Sequence, residues 1–263
     1  MTAYPCVLTI AGSDSGGGAG IQADLKTFSA HRVYGASVIT AVTAQNTVGV
    51  RALHAVPVEV VAAQLDAVLD DLPIVAIKIG MLAQTAIIRV VAERLRAFSG
   101  PVVLDPVLAA TSGDALLPAD AIAVLTAELL PRVTLVTPNL PEAARLLGRR
   151  QLHDPTEAAQ ALRALGAPAV LLKGGHGTGD LLEDVLATSD GLTYFRHPRL
   201  TTPHTHGTGC TLSAAIAANM ANRYTIQESV ERAIAWLQQA ITHAWPVGAG
   251  HGPVHHYWEM WEG

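Results

Sequence analysis

Short apolar runs alternate with longer amphipathic stretches along this chain of 263 residues. The short runs are rich in Val, Ile and Leu, as buried strands are, and they predict strands over residues 7–11, 38–42, 74–79, 102–104, 133–136 and 169–172, with a strand pair at 182–187 and 192–195. The longer stretches have helical spacing and predict helices over residues 21–30, 58–69, 86–98, 119–130, 141–147, 156–165, 208–221 and 226–244. This alternation predicts an α/β fold whose mostly parallel sheet is covered by helices on both faces.

No linker or internal repeat divides the chain, so we expect residues 1–263 to form one domain. Half of the residues are hydrophobic and 15% are charged, which excludes a disordered chain. A net charge of −5 makes nucleic acid a poor partner. No apolar run approaches the roughly 18 residues of a membrane helix, and the first ten residues do not resemble a signal peptide. Cys6 and Cys210 are too few for a disulfide framework and indicate the cytoplasm.

Polar and glycine residues directly follow several of the predicted strands. They stand at positions 12–14, 105–106, 137–139 and 173–175. The carboxyl ends of parallel strands meet at one edge of a sheet, where α/β proteins bind ligands. The sequence therefore predicts a ligand site at this edge.

The glycine-rich segment 12–20 lies between a predicted strand and a predicted helix. Glycine lets the backbone approach a ligand closely. A Walker A loop is excluded because Gly18 stands where that motif needs lysine. A dinucleotide site is disfavoured because no acidic residue lies between Asp24 and Glu59 to bind a ribose. The alternative to a binding loop is a flexible turn.

A second glycine-rich segment, Gly207, Thr208 and Gly209, opens the predicted helix 208–221. The free N–H groups of a helix's first turn form an anion site, which predicts a phosphate cradle here. Cys210 follows at the positive end of the helix, where the dipole is expected to lower the thiol pKa below its ordinary value of about 8.5. The alternative is a small buried cysteine without a chemical role.

Charged and amide side chains at the other strand ends predict a metal and phosphate site. Asp105, Asn139 and Glu142 offer oxygen ligands of the kind that Mg²⁺ prefers. Lys173 is a point charge suited to a phosphate. For Glu142 the alternative is a carboxylate that only stabilises the start of a helix through the helix dipole. For Lys173 the alternative is a lysine at a strand end that binds no ligand. Together these signals indicate phosphoryl transfer, which needs positioning and charge neutralisation more than covalent chemistry, but they do not name the acceptor.

The histidines carry a competing hypothesis, a structural metal site. They crowd two regions of the chain, at His204 and His206 and at His251, His255 and His256. No Cys/His set has zinc-finger spacing, so we do not expect such a site.

Residues 8–27 resemble the opening segment of the bacterial hydroxymethylpyrimidine/phosphomethylpyrimidine kinases of thiamine biosynthesis, members of the ribokinase superfamily. Further matching segments are 37–46, 78–82, 105–107, 137–142, 173–176, 205–213 and 250–256. The likeness runs in order along nearly the whole chain. It implies a ribokinase-like, three-layer α/β/α fold with a largely parallel central sheet, and a homodimer.

The resemblance also implies ATP, Mg²⁺ and two successive phosphorylations, of the pyrimidine's hydroxymethyl group and then of the resulting monophosphate. It assigns the pyrimidine edge to Gln45 and further pocket contacts to Gly12, Asp24 and Met81. Cys210 stands where the wider superfamily has an aspartate base, and it would handle the acceptor proton. Adenine contacts are expected from apolar positions in the last helices and from the loop near Asp190.

This chain departs from the family pattern at Leu108, Thr111 and His204, where methionine, lysine and asparagine are common. The Thr111 difference bears on the second phosphorylation, because a lysine there could help hold a second phosphate. A pyridoxal or pyridoxine kinase of the same superfamily is the alternative function. A non-catalytic binder of a vitamin precursor is the alternative from a different class.

Overall fold

A computed structural model describes residues 4–108, 117–175 and 179–261. The nine strands of the described chain form one sheet in the order β3-β2-β1-β4-β5-β6-β7-β8-β9. The strands are β1 (Cys6–Asp14), β2 (Tyr34–Asn46), β3 (Gly49–Ala55), β4 (Ile74–Ile79), β5 (Val102–Leu104), β6 (Leu135–Val136), β7 (Val170–Leu172), β8 (Leu181–Thr188) and β9 (Gly191–Pro198). Pairing is parallel from β2 to β7 and antiparallel at β3, β8 and β9. The predicted, largely parallel sheet is confirmed.

Helices cover both faces of this sheet. They are α1 (Gly20–Ala30), α2 (Val58–Asp71), α3 (Thr85–Arg94), α4 (Ala119–Val124), α5 (Leu140–Leu146), α6 (Pro155–Ala164), α7 (Thr208–Ala221) and α8 (Ile226–Thr242). One hydrophobic core joins the sheet to helices α2 to α6, and a second joins it to α1, α7 and α8. Successive strand residues serve opposite cores: Leu8 enters the first and Val7 the second. This is the three-layer α/β/α architecture that the resemblance implied.

The structure corrects four details of the predicted elements. β3 was not predicted, because most of its side chains are exposed and its half-buried and exposed positions do not alternate. The predicted helix 119–130 is α4 followed by a π-helical turn and a 3₁₀ turn, Leu125–Leu129 and Leu130–Arg132. Helix α5 begins at Leu140, so Pro141 occupies its second position rather than its first. Helix α8 ends at Thr242, two residues before the predicted end.

The strand ends converge as the parallel topology requires. Asp14 closes β1, Asp105 follows β5, and the start of α5 follows β6. Lys173 follows β7 and forms an isolated bridge with Asn139. The first turn of α7 meets the same edge, so one end of the sheet gathers the chemistry-bearing residues. Within the described chain, no helix is long and apolar enough to cross a membrane.

Candidate active site

A cavity of about 950 Å³ opens at this edge of the sheet. It brings together every predicted site residue except Asp24: Gly12, Gln45, Met81, Asp105, Asn139, Glu142, Lys173, Gly207, Thr208, Gly209 and Cys210. Adenine contacts were expected from the last helices and from the loop near Asp190. The cavity reaches Leu237 and Ile241, apolar residues of the last helix α8, but Asp190 does not line it. The cavity therefore joins the predicted acceptor pocket, phosphate cradle and carboxylates in one space.

The phosphate cradle is the first turn of α7. Gly207 caps the helix with a left-handed backbone, φ +82°, which favours glycine. The N–H groups that follow have no acceptor within the helix. A Cβ atom at Gly209 would lie 3.3 Å from Asp105 Oδ2 and 3.4 Å from Lys173 Nζ. Glycine at this position thus allows both charged groups to approach the helix terminus, where a phosphate would be held by amides and ammonium together.

Lys173 lies between the two predicted metal-binding carboxylates. Its Nζ is 2.8 Å from Asp105 Oδ1 and 3.9 Å from Glu142 Oε2. Burial lowers the pKa of Lys173, but the two carboxylates outweigh burial and the net shift is upward, so the ammonium is retained. Burial also raises the pKa of Glu142 to about 7, although the charge of Lys173 opposes the shift. The cluster can exchange a proton or a cation near neutral pH.

Asn139 and Glu142 also form the N-terminal cap of α5. Asn139 Oδ1 accepts the Glu142 N–H at 2.9 Å, and Glu142 Oε2 accepts the Asn139 N–H at 2.8 Å. This capping box satisfies two amides that the helix leaves free. Glu142 therefore stabilises the start of α5, as the alternative interpretation expected. The same side chain also lies beside Lys173 in the cavity.

The donor set fits a magnesium ion that is bound partly by substrate. The described residues contain no group of three or more His, Cys, Asp or Glu side chains arranged around a metal. Asp105 and Glu142 are two carboxylates that share one cation, Lys173. Mg²⁺ typically binds one or two carboxylates, with phosphate and water filling its other positions.

The acceptor end of the cavity is lined by Gly12, Gln45 and Met81. A Cβ atom at Gly12 would lie 2.4 Å from Met81 Cε, so a larger residue there would require the Met81 side chain to shift. Gln45 Oε1 accepts a hydrogen bond from Thr43 Oγ1 at 3.2 Å. Its amide can donate and accept at a heterocycle edge.

Asp24 does not line the cavity, which corrects its assignment as a direct pocket contact. Its carboxylate is fully buried and accepts two hydrogen bonds from Lys78 Nζ, both 2.8 Å, and one from Thr9 Oγ1 at 2.6 Å. Lys78 is fully buried too, but it does line the cavity. Sequence reasoning assigned no role to Lys78, although a lysine inside an apolar strand was the available signal. Asp24 holds the lysine rather than the ligand.

The prediction of a lowered Cys210 pKa is wrong. Burial raises the pKa of the thiol to about 11, and the charges of Asp24 and Asp105 act in the same direction. Lys78 and the Gly20 N–H lower it, but by less. The position at the start of α7 was correctly predicted, but burial of the thiol raises its pKa, and Asp24 and Asp105 from other segments add to that effect. At neutral pH Cys210 is a thiol, not a thiolate.

The three departures from the family pattern fall in different places. Leu108 is buried and lines the cavity beside Val107. His204 packs against Gly252, where a Cβ atom would meet its ring. Thr111 lies outside the described residues, so its bearing on a second phosphate stays a prediction.

Comparisons with known proteins agree with this geometry. The family described as phosphomethylpyrimidine kinase matches residues 14–255. A hydroxymethylpyrimidine/phosphomethylpyrimidine kinase of Rhizobium meliloti is 53% identical over the full length of both chains. A thiamine biosynthesis bifunctional protein of Geobacter sulfurreducens is 47% identical over 95% of this chain and 52% of its own length. The crystal structure of Bacillus subtilis pyridoxal kinase with ADP superimposes with a TM-score of 0.90 at 34% identity, over 97% of this chain and 98% of that one. The chain belongs to the phosphomethylpyrimidine kinase family.

Proposed function

We propose that this chain transfers phosphate from ATP to 4-amino-5-hydroxymethyl-2-methylpyrimidine, and then to the resulting monophosphate, for thiamine biosynthesis. The observation that carries the proposal is the single cavity that joins Gln45 and Met81 to Lys173 and the first turn of α7. The names of the matching relatives supply the pyrimidine and the pathway, and the ADP complex of the structural neighbour supports ATP.

In this mechanism the chain works chiefly by positioning and by neutralising charge. Lys173 and the α7 amides face the transferring phosphoryl group, whose charge spreads over its oxygens in a loose transition state. Asp105 and Glu142 would hold Mg²⁺, with Asn139 beside them. When bound, the ion would supply positive charge to the phosphate oxygens. Gln45 orients the pyrimidine ring so that its hydroxymethyl group points at the cradle.

Cys210 enters the proposal as a neutral thiol beside the acceptor hydroxyl. A thiol with a pKa of about 11 is a poor resting base at neutral pH. A loose transition state requires little removal of the acceptor proton before the phosphoryl group arrives. Cys210 therefore contributes by contact and shape, and the hydroxyl proton leaves late, to an oxygen of the transferred phosphoryl group as ADP departs.

Turnover of ATP should be measured against three acceptors: the hydroxymethyl pyrimidine, its monophosphate and pyridoxal. We expect kcat/KM for the pyrimidine to exceed that for pyridoxal at least tenfold, with the monophosphate also turned over. Preference for pyridoxal would favour the alternative that the structural likeness to pyridoxal kinase supports. Tight pyrimidine binding without ADP production would support the non-catalytic binder.

We further propose that residues 1–263 act as one kinase domain in the cytoplasm and that two copies form a homodimer. All described strands join one sheet, which supports a single domain. Cys6 and Cys210 are both free thiols, as a reducing compartment favours. The dimer is supported by the exposed apolar side chains of the β2–β3 hairpin, at one edge of the sheet.

A further inference from the structure

A buried pair of side chains joins the glycine-rich loop after β1 to the loop that opens α7. His206 Nε2 lies 2.8 Å from Asp14 Oδ2, with side-chain exposures of only 9% and 3%. The same carboxylate accepts the N–H groups of Gly16, Gly18 and Ala19 at 2.8, 3.1 and 2.9 Å. Burial raises the pKa of Asp14, but these bonds outweigh it and hold the pKa below its ordinary value. Asp14 thus fixes its own loop and ties it to His206.

The two loops pack so closely that neither has room for a larger residue at the contact. A Cβ atom at Gly18 would lie 2.5 Å from His206 Cδ2, and one at Gly207 would enter the Gly18 backbone. The His206 N–H also donates to the carbonyl of Gly252 at 3.1 Å, so the segment after α8 holds the histidine from a third side. His206 is therefore fixed immediately before the phosphate cradle.

The same pair reaches the acceptor pocket. Ser15, next to Asp14, bonds through Oγ to both the N–H and the carbonyl of Gln45, each at 2.8 Å. Gln45 Nε2 lies 3.5 Å from His206 Nε2, and because His206 Nε2 donates to the Asp14 carboxylate, these two nitrogens are in contact without a hydrogen bond between them. The backbone of Gln45 is thus firmly placed while its side-chain amide is held loosely and can turn to a ligand.

We propose that His206 is a positioning residue that couples the acceptor pocket to the phosphate cradle. An acceptor held by Gln45 and by the loop after β1 restrains Ser15 and Asp14, and through the bond of Asp14 to His206 it restrains the loop that presents the first-turn amides of α7. Because such coupling is reciprocal, a nucleotide in the cradle tightens the acceptor by the same factor. This inference rests on the proposed function and extends it.

The test is a calorimetric titration of the hydroxymethyl pyrimidine with and without Mg²⁺ and AMP-PCP, an ATP analogue that cannot transfer its phosphate. For the native chain we expect the analogue to lower the pyrimidine Kd about fivefold or more, within the usual range of such coupling. His206→Leu removes the N–H donor, and the ratio of the two Kd values should fall to about 1. His206→Gln keeps an N–H donor, and most of the ratio should return.

His256→Leu is the matched control. His256 is also buried, and its Nε2 lies 3.0 Å from Thr211 Oγ1 of the same helix α7, but it does not line the cavity. The control should lose stability and keep the native ratio. If His206→Leu does not fold, Asp14→Asn decides the question, because it keeps an oxygen for the loop amides, weakens the bond to His206 and should lower the ratio.

The outcomes separate this inference from the function on which it rests. An unchanged ratio in His206→Leu, a native ratio of 1, or an equal loss of the ratio in His256→Leu would overturn the coupling. A native chain that binds no pyrimidine at all would instead overturn the proposed function. If the native chain binds the pyrimidine but His206→Leu keeps the native ratio of Kd values, the proposed function is retained and only the role of His206 is refuted.

Discussion

Gln45 lines the cavity and is the residue that we propose recognises the acceptor. Losing a buried hydrogen-bond partner costs about 1–3 kcal/mol. Gln45→Ala should therefore raise the KM for the pyrimidine about tenfold to a hundredfold while the KM for ATP stays within a factor of about two. Steady-state kinetics with each substrate varied in turn measures both constants.

Gln64→Ala is the control for that substitution. Gln64 bonds the backbone of Ile39 in the same strand β2 but does not line the cavity. It should lower stability and leave both KM values unchanged. An equal rise of the two KM values in Gln45→Ala would refute the pocket assignment.

Cys210 should behave as a protonated thiol across the physiological range. In a Cys6→Ser background, which leaves one cysteine, the alkylation rate by iodoacetamide should rise with pH toward a midpoint of about 11. Because no thiolate base is lost, Cys210→Ser should reduce kcat less than the 10²–10⁴-fold typical of a general base. An alkylation midpoint below 8.5 together with a hundredfold loss would restore the base hypothesis.

Glu142 should make magnesium dependence sensitive to pH. With its pKa raised to about 7, a proton competes with the ion near neutrality. The Mg²⁺ concentration for half-maximal rate should therefore fall about tenfold between pH 6 and pH 8. Without metal, the raised pKa stabilises the protonated fold, so the free energy of unfolding should decline as pH rises from about 4.5 to about 7.

Two substitutions check this prediction by magnesium titration and urea denaturation. Glu142→Gln should weaken the magnesium dependence and remove its pH sensitivity. Glu157→Gln is the control, because Glu157 also stands in the first turn of a helix but is exposed and paired with Arg149. A Glu142→Gln chain with native magnesium dependence and reduced stability would leave Glu142 as a capping residue only.

Cys210, Asp24 and Lys78 show which properties of the site could not be predicted from the sequence. The positions of Lys173, Glu142 and Cys210 at strand and helix ends could be predicted, because parallel strands bring their carboxyl ends to one edge. The environment of Cys210 could not, since Asp24 and Asp105 reach it from other segments. Spacing likewise did not reveal that Asp24 faces the core and Lys78 faces the cavity.

At the scale of elements, the start of helix α5 caps the helix and is also proposed to bind the metal. Asn139→Ala removes its N-cap and should cost about 1 kcal/mol of stability. Asn139→Asp keeps a capping oxygen and should retain the native stability in urea denaturation. If Asn139 acts only as the cap, the aspartate variant will also keep the native magnesium dependence. A shift of that dependence would make Asn139 a ligand as predicted.

Element types were more predictable than element boundaries. Strands β4 and β5 and helix α7 match their predicted ranges, because each is a compact apolar run or a long helical pattern bounded by clear breakers. Strand β3 was missed because an exposed edge strand lacks the buried alternation that marks a strand. The helix predicted over 119–130 changes its winding after α4, and the apolar pattern alone carries no signal of that change.

At the scale of the whole molecule, the two edges of the sheet differ. Strand β9 ends one side and carries charge, with Arg196 paired to Glu183 of β8. Strand β3 ends the other side, and the hairpin of β2 and β3 exposes Val42, Val48 and Leu53 by 49%, 71% and 41%. Although β3 also exposes Arg51 and His54, an unpaired edge strand beside exposed apolar side chains is the kind of surface that proteins cover. The sequence implied a homodimer through family resemblance alone, and this edge supplies a physical reason.

Charges on this hairpin should therefore separate the two copies. Val42 pairs with His54 and Leu53 with Thr43, so a Val42→Lys, Leu53→Lys double variant places one lysine on each face of the hairpin. Light scattering during size-exclusion chromatography should give about twice 27.5 kDa for the native chain and about 27.5 kDa for the double variant. Leu181→Lys, at a more exposed apolar position in β8, is the control and should remain dimeric. If the native chain runs at 27.5 kDa, or if Leu181→Lys alone dissociates it, the β3 edge is not the interface.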